Sequence, residues 1–415
     1  MRTFAREMDI FAHTPIQWIL FFILYGVTGV VPLMAALYLL LRRGNAFAPD
    51  VTPPVRLRRW AASYFALSAL DHVLWLLFYL HFRHSYSLDE VVHSAGYVAI
   101  VTFDCVTLLT TLAGTLLAML QDRRRRIWPV FVAMIPFVAL MGVHIVKPSQ
   151  TVILMAIAYV LLLYVLFTVY MVFAVRRYGR WLNDNYADLE NKKVWLSQAV
   201  TLGCLLLCFL YTVVDIDSIL LMFLMHFTEV VLFGLLLWRV ETLPQLESEP
   251  MAETLPPSDS TPAEEADDAP APQAADAPDG STITPEVPIH EQQPSATSMN
   301  IDIEKIEQQL KKHCVATRLY LQQELTLQEL AQTIGVNRSY LSLYFSRQGI
   351  NYNIYINNLR INHFISRYQE AAKAGQPVTA QQLASDSGYR SYSTFSLAFK
   401  QRMGQSVTAW MRSFS

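Results

Sequence analysis

Seven apolar stretches fill the first 240 residues, and each is about as long as a helix that crosses a bilayer. A hydrocarbon core takes about 20 helical residues, and within it only helices and closed barrels satisfy every backbone polar group. The sequence therefore predicts a seven-transmembrane helix bundle in a lipid bilayer over residues 1–240. The stretches are roughly 16–41, 60–80, 92–120, 127–146, 151–175, 194–214 and 218–238.

Composition divides the chain into three parts of different character. Hydrophobic residues make up 53% of the chain and charged residues only 16%, which is more apolar than a soluble protein of this size. Residues 1–240 hold 19 Lys+Arg against 14 Asp+Glu, residues 241–300 hold none against 13, and residues 301–415 hold 13 against 7. The net charge of −2 is thus the sum of two basic segments and one acidic segment.

The positions of the basic residues predict the orientation of the bundle. Lys and Arg concentrate in cytoplasmic loops. The loops after spans one, three and five, together with Arg239, hold 15 Lys and Arg, and the opposite side holds four. An odd number of spans then places the N-terminus outside and the C-terminus in the cytoplasm. The first span is longer than a signal-peptide core, so we expect it to be retained.

Several ionisable residues lie within the predicted spans. Charge in hydrocarbon is costly, so such residues usually face the bundle interior or water. His226 and Glu229 lie three residues apart on one helix face. They indicate either an intramembrane site that senses a ligand, or hydrogen bonds between helices; we assign no metal and no cofactor to them. The candidate sensing residues are Asp71, His72, Asp104, His144, His226 and Glu229.

The segment Leu327–Phe345 has the pattern of a helix-turn-helix unit. Its apolar residues repeat at helical spacing, and Gly335 lies where the chain must turn sharply. Asn337 is suited to cap a second helix. The pattern recurs in Leu383–Phe399, where Ala384 and Gly388 lie 53 residues after their counterparts in the first unit. A unit of this kind lays its second helix in the major groove of DNA.

Residues 302–415 resemble the DNA-binding domain of AraC-type transcription regulators. The resemblance is carried by LTLQELA, NRSYLSLYF, the segment Gly349–Ile361, GYRSYSTFSLAFK, and Gly404 followed by Trp410. It implies two helix-turn-helix units in one chain, at about 325–348 and 379–403. It also implies double-stranded DNA as the ligand, RNA polymerase as a further partner, and a bacterial source.

A long helix is predicted between the two units, over Tyr352–Ala374. About 20 residues at 1.5 Å each span about 30 Å, close to the 34 Å or so between successive major grooves. One chain can therefore read a two-part site. We expect Ile354, Leu359, Ile361, Phe364 and Ile365 to be among the buried residues of this helix.

The recognition helices supply the candidate DNA-binding residues. Residues outside the apolar pattern are predicted to face the groove: Asn337, Arg338, Ser339 and Ser342 in the first unit, and Arg390, Tyr392, Ser393 and Ser396 in the second. Three basic residues are predicted to contact phosphate, which positions the protein without reading sequence: Arg347, Lys400 and Arg402. Five residues are predicted to be core: Tyr340, Leu341, Phe345, Phe395 and Phe399.

Residues 241–300 are predicted to form a disordered linker between the two domains. This acidic segment carries 11 of the 20 prolines and cannot bury enough apolar surface to fold. As a flexible coil, 60 residues have a root-mean-square reach of about 45 Å. Such a linker would not transmit a helix movement rigidly, so it is interpreted as a spacer. The alternative is that its acidic residues compete with DNA for the basic domain.

The whole sequence predicts an all-α protein with domains at 1–240, 241–300 and 301–415. It is interpreted as a membrane-anchored, one-component transcription regulator in the bacterial cytoplasmic membrane, and not as an enzyme. The bundle would sense an unknown ligand, with homodimerisation or proteolytic release as further routes of control. The alternative is a membrane receptor or transporter whose cytoplasmic helical module binds protein partners.

Overall fold

The computed structural model describes residues 15–42, 44–82, 94–189, 191–213, 219–246 and 296–413. Within these ranges no residue forms a strand, and the regular elements are helices, as the sequence predicts. Within the described ranges, seven helices precede residue 246: α1 (Pro15–Leu41), α2 (Val55–Phe82), α3 (Ala95–Ala118), α4 (Trp128–Val146), α5 (Gln150–Asn185), α6 (Trp195–Val213) and α7 (Ile219–Thr242).

Six of these helices are long and apolar enough, within the described ranges, to cross a membrane. The apolar part of α6, Trp195–Leu210, is shorter, so the count of seven spans stays a prediction. The outer faces of the helices expose large apolar side chains such as Phe131, Leu166 and Phe173. A soluble protein rarely exposes contiguous apolar surface on this scale. The bundle is therefore compatible with insertion in a bilayer.

The seven helices form a ring in which each packs against the next along the chain. The last helix, α7, closes the ring against α1 and α2. Buried residues such as Phe65, Leu116 and Leu236 belong to one continuous apolar core. The ring places α2 and α3 next to each other, which brings together the polar residues that they carry.

The segments that follow α1, α3, α5 and α7 meet at one end of the bundle, which we call the inner end. The Asn45 side chain donates to the backbone oxygen of Glu241 at 2.6 Å. Gln121 donates to the oxygen of Pro244 at 3.0 Å, and Arg239 donates to the oxygen of Lys193 at 2.6 Å. The most basic segments of residues 1–240 therefore lie at the same end.

The first residues of the segment that composition assigned to the linker pack against the bundle. The Glu241 carboxylate is fully buried and pairs with Arg58 at 3.5 Å, and Leu243 is fully buried. The nitrogen of Gln245 donates to the oxygen of Thr52 at 2.9 Å. The polar composition of this stretch did not indicate that it packs, although its leucines, Leu243 and Leu246, are both buried. Residues 247–295, the greater part of the predicted linker, lie outside the described residues.

The C-terminal part contains two helix-turn-helix units joined by one long helix. That helix, α11, runs over Tyr352–Lys373, so the predicted connecting helix is confirmed. At 22 residues it is about 33 Å long. The other helices are α8 (Ala296–Leu310), α9 (Leu327–Ile334), α10 (Arg338–Arg347), α12 (Ala380–Asp386), α13 (Tyr392–Met403) and α14 (Val407–Arg412).

A buried arginine and a glycine join the two units to the 3-10 turn at Leu319–Leu321. The Arg360 side chain in α11 is 1% exposed and donates to the oxygens of Tyr320 and Gln322, both at 2.7 Å. Its guanidinium lies 5.4 Å from the centre of the Tyr389 ring, in the second unit. Gly388 approaches the same turn so closely that a Cβ there would lie 2.6 Å from the Leu321 oxygen.

Two of the predicted core residues are exposed, so those predictions are wrong. The Tyr340 side chain is 59% exposed and that of Ile354 is 43% exposed. The buried stripe of α10 follows Leu341, Tyr344 and Phe345, and Tyr340 is about a quarter-turn away from it. The buried face of α11 includes Ile356, and Ile354, two residues earlier, lies on the opposite side of the helix.

We predict that Gly388→Ala destabilises the C-terminal domain far more than Gly335→Ala. Both glycines have positive φ angles, +87° and +68°, but a Cβ at Gly335 meets nothing within 4 Å. The left-handed conformation alone costs about 1–2 kcal/mol, and the clash with Leu321 raises the cost at Gly388 to about 2–5 kcal/mol. Hydrogen exchange of the α13 amides in the full chain measures the difference; equal losses would contradict the close approach.

Candidate nucleic-acid interface

The two helix-turn-helix units are built with the same local chemistry. In the first, Thr326 and Glu329 form a capping box on α9, and Gly335 makes the turn with φ +68°. The Asn337 side chain then caps α10 by accepting from the Ser339 nitrogen at 2.8 Å. In the second, Thr379 caps α12 and Ser391 caps α13. These caps fix where each recognition helix begins, and therefore which residues occupy its first turn.

Predicted groove-facing residues of the first unit lie at the start of α10. Asn337 and Ser339 are exposed, while Arg338 and Ser342 are half-buried. The Asn337 side-chain oxygen accepts the capping hydrogen bond, which leaves its amide nitrogen to donate to a ligand. Tyr340 and Leu343 are also exposed on this helix. The sequence analysis did not predict that Tyr340 is exposed. Its angular position on the helix, about a quarter-turn from the buried stripe that contains Leu341, could have indicated this.

The second unit presents a similar surface at the start of α13. Arg390, Tyr392 and Ser393 are exposed, and Ser396 is half-buried. The Arg390 side chain pairs with Glu324 at 2.5 Å. This ion pair is about half exposed at both partners, so water screens it and it contributes little to stability. The Arg390 guanidinium can therefore exchange this partner for another acceptor at low cost.

The three predicted phosphate-contacting residues have different surroundings. Arg347 and Lys400 are exposed at the ends of their helices. Arg402 instead donates to the oxygen of Asn358 at 2.5 Å and to the side chain of Asn362 at 2.6 Å. Both acceptors lie in α11, so Arg402 ties the second recognition helix to the connecting helix.

The first unit also contacts the inner end of the bundle. Arg338 donates to the Asn185 side-chain oxygen, from Nε at 3.2 Å and from Nη2 at 2.5 Å. Asn353, near the start of α11, donates to the oxygens of Tyr186 and Ala187 at 3.1 and 2.7 Å. A linker that acts only as a flexible spacer predicts no such fixed contact. In the structure, the helix-turn-helix domain is instead hydrogen-bonded to the end of α5.

Five of the six candidate sensing residues form a polar cluster between α1, α2, α3 and α7. Trp75 donates to the Asp104 carboxylate at 2.9 Å, and Asp71 adjoins Asp104. His72 lies 4.0 Å from the Glu229 carboxylate. Tyr25 of α1 donates to the His72 oxygen at 2.6 Å, and its ring centre lies 6.2 Å from that of His226. Sequence reasoning missed Tyr25 and Trp75, because neither is ionised at neutral pH.

His144 is placed apart from this cluster. It lies in the last turn of α4 and accepts from the Ser149 nitrogen at 3.1 Å, so it caps the turn between α4 and α5. Its burial is therefore explained by local structure. Among the residues with described positions, no group of three or more His, Cys, Asp or Glu could hold a metal ion.

Comparison with protein families identifies one part of the chain. Residues 330–413 match the family model described as a helix-turn-helix domain. They form an AraC-type helix-turn-helix domain. This is a DNA-binding regulatory domain and not an enzymatic one, and it covers about a fifth of the chain. Comparisons with curated proteins and with solved structures gave no match.

We predict that Arg402→Ala destabilises the domain by about 1–2 kcal/mol, because two hydrogen bonds between α13 and α11 are lost. Lys400→Ala, two residues earlier and exposed, should change stability by less than about 0.5 kcal/mol. Pulse proteolysis of the full chain in urea, scored by the C-terminal fragment, measures both. A Lys400 variant as unstable as the Arg402 variant would contradict this assignment.

Proposed function

We propose that the protein is a membrane-anchored, one-component transcription regulator that binds a two-part DNA site. The AraC-type domain supports DNA binding and transcription regulation. The observation that carries the rest is that this domain lies against the inner end of the bundle, where the basic loops meet. Its partners would then be double-stranded DNA, the lipid bilayer and, through the family resemblance, RNA polymerase.

The geometry of the domain supports reading of two successive major grooves. The α11 helix that joins the two units has 22 residues and is about 33 Å long, close to one turn of DNA, about 34 Å. In this proposal Arg338, Ser339 and Ser342 read the first half-site and Arg390, Tyr392, Ser393 and Ser396 the second, while Asn337 uses its free amide group. Tyr340, Leu343 and Leu397 add exposed apolar surface that fits thymine methyl groups.

We predict that Arg347→Ala and Arg390→Ala weaken DNA binding in different ways. Arg347 is assigned to phosphate, so its loss should weaken binding to all sequences and lower the salt slope by about one. Arg390 is assigned to a base, so its loss should relax preference at one position and cost about 1–3 kcal/mol.

Fluorescence anisotropy of the full chain in lipid nanodiscs, with duplexes selected from a random pool, measures both effects. Arg367→Ala serves as the control, since Arg367 is exposed and pairs with Glu370 in the same helix. Binding that does not depend on salt, or the absence of two protected patches about one helical turn apart, would contradict the proposal and favour a module for protein contacts.

The proposed location is the bacterial cytoplasmic membrane, with the N-terminus outside and the C-terminal domain in the cytoplasm. The excess of Lys and Arg at the inner end of the bundle supports it. We predict that green fluorescent protein fused after residue 413 fluoresces, and that alkaline phosphatase fused there is inactive. Fusion of the phosphatase between α4 and α5, at Pro148, should give an active enzyme. The reverse pattern would overturn the orientation.

The same proposal assigns signal reception to the polar cluster within the bundle. Asp71, His72, Asp104, His226 and Glu229 come from three helices, and ionisable residues inside a membrane bundle usually mark a functional site. His144 is the outlying member of the candidate set. Asp104→Asn should alter transcription from a target promoter without altering the amount of protein in the membrane. An unchanged response would leave only the structural role of interhelical hydrogen bonding.

A further inference from the structure

The helix α5 is much longer than a bilayer requires. Its 36 residues extend about 54 Å, whereas a hydrocarbon core is about 30 Å thick. The apolar part ends where Arg176, Arg177 and Arg180 appear, so the last third of the helix projects from the inner end. We call Asn185–Asp188, where this projection ends, the α5 tip.

The α5 tip holds the first helix-turn-helix unit by a set of directed hydrogen bonds. The Asn185 amide nitrogen donates to the Trp181 oxygen at 2.7 Å, which fixes the amide with its oxygen facing Arg338. That oxygen accepts from two nitrogens of the Arg338 guanidinium. Arg338 is the first residue of the recognition helix, the position from which such helices contact base edges.

Burial shows that this contact is part of the packed structure. Ala187 is 1% exposed and belongs to the apolar core of the first unit, together with residues such as Leu325 and Tyr352. Tyr186 forms an isolated antiparallel bridge with Thr326, which caps α9. The α5 tip therefore reaches the starts of α9, α10 and α11. Helix N-termini are the parts of a protein that bind anions most readily.

The charge of the α5 tip extends the contact towards the second unit. The Asp188 carboxylate is buried and acts electrostatically on two guanidinium groups. Glu324 raises the pKa of Arg390, and Asp188 adds to that increase more weakly. Burial lowers the pKa of Arg360, and Asp188 is among the groups that oppose this. Arginines of the connecting helix and of the second unit thus experience the field of the same carboxylate.

The groups that the α5 tip offers to the domain are hydrogen-bond acceptors. They are the Asn185 side-chain oxygen, the oxygens of Tyr186 and Ala187, and the Asp188 carboxylate. DNA offers the same chemistry, since phosphate oxygens and many base-edge atoms are acceptors for Arg and Asn side chains. Arg338 cannot donate the same N–H groups to Asn185 and to a base at once.

We propose that the α5 tip is an interaction surface for the helix-turn-helix domain of the same chain, and that it competes with DNA for Arg338. This rests on the proposed function. The domain is held in a state that does not bind DNA while α5 and the domain are in contact. DNA binding requires their separation, and a movement of α5 within the bundle changes how readily they separate. This gives the bundle a direct mechanical route to the DNA-binding surface.

The test uses substitutions at Asn185, which does not itself face DNA in the proposal. Asn185→Ala removes the acceptor of Arg338 and should tighten DNA binding by the full chain about tenfold. Asn185→Asp makes the bond charge-assisted, which strengthens it, and should weaken DNA binding about tenfold. Asn183→Ala and Asn183→Asp are the matched controls, because Asn183 lies on the same helix and none of the hydrogen bonds described joins it to the domain. Both should bind like the wild type.

The measurement is anisotropy of a labelled mixed-sequence duplex of about 40 base pairs, long enough for two half-sites, with each full chain in phosphatidylcholine nanodiscs. Opposite shifts for the two Asn185 variants support the proposal. Equal shifts, or shifts matched by the Asn183 variants, overturn it.

Hydrogen exchange of the α10 amides without DNA distinguishes failure of the proposed function from failure of the contact between α5 and the domain. Exchange should be faster in Asn185→Ala than in the wild type if the contact exists. If no form binds DNA, the proposed function fails, and competition fails with it. Faster exchange would then show that the domain still docks on α5. Unchanged exchange in Asn185→Ala would overturn the docking itself.

Discussion

The absence of water from a bilayer core is the constraint that the proposed membrane location places on the bundle. Each backbone N–H and C=O group in the hydrocarbon must find a partner within the protein, and helices provide that partner locally. The six described helices that are long and apolar enough to cross a membrane are compatible with this requirement. Because successive helices pack side by side in a ring, alternate connections fall at opposite ends. The ends of α1, α3, α5 and α7 share the inner end with the DNA-binding domain.

A second constraint acts in the C-terminal domain, where two small units must be held at a fixed separation. Neither unit has a large core: the first is built around Leu330 and Phe345, the second around Phe395 and Phe399. Arg360 joins them, because its buried guanidinium satisfies two backbone oxygens of the turn at Leu319–Leu321 and lies over the ring of Tyr389. A charge this deeply buried is stable only with such partners.

The sequence predicted what periodicity and caps determine. The turns at Gly335 and Gly388, the cap at Asn337 and the length of α11 were all readable, because each depends on residues near one another in the chain. Side-chain direction was less readable: Tyr340 and Ile354 are apolar or aromatic, yet they lie outside the buried stripes. The contact between Arg338 and Asn185 spans 153 positions, and no local pattern encodes a pairing at that separation. The packing of Glu241 was hidden for the same reason.

Leu246 is anchored beside the loop after α3, and this anchoring affects how tightly the helix-turn-helix domain must bind the α5 tip. The Leu246 nitrogen donates to Gln121 at 2.8 Å, so residues 247–295 begin and end on folded parts of the chain. Two surfaces that belong to one chain meet at an effective concentration of roughly millimolar. A tenfold effect on DNA binding requires the contact to be occupied about nine-tenths of the time, which at this concentration needs an intrinsic dissociation constant of about 0.1 mM. The same domain released as a separate fragment would find the bundle rarely, and cutting the connection would itself free it for DNA.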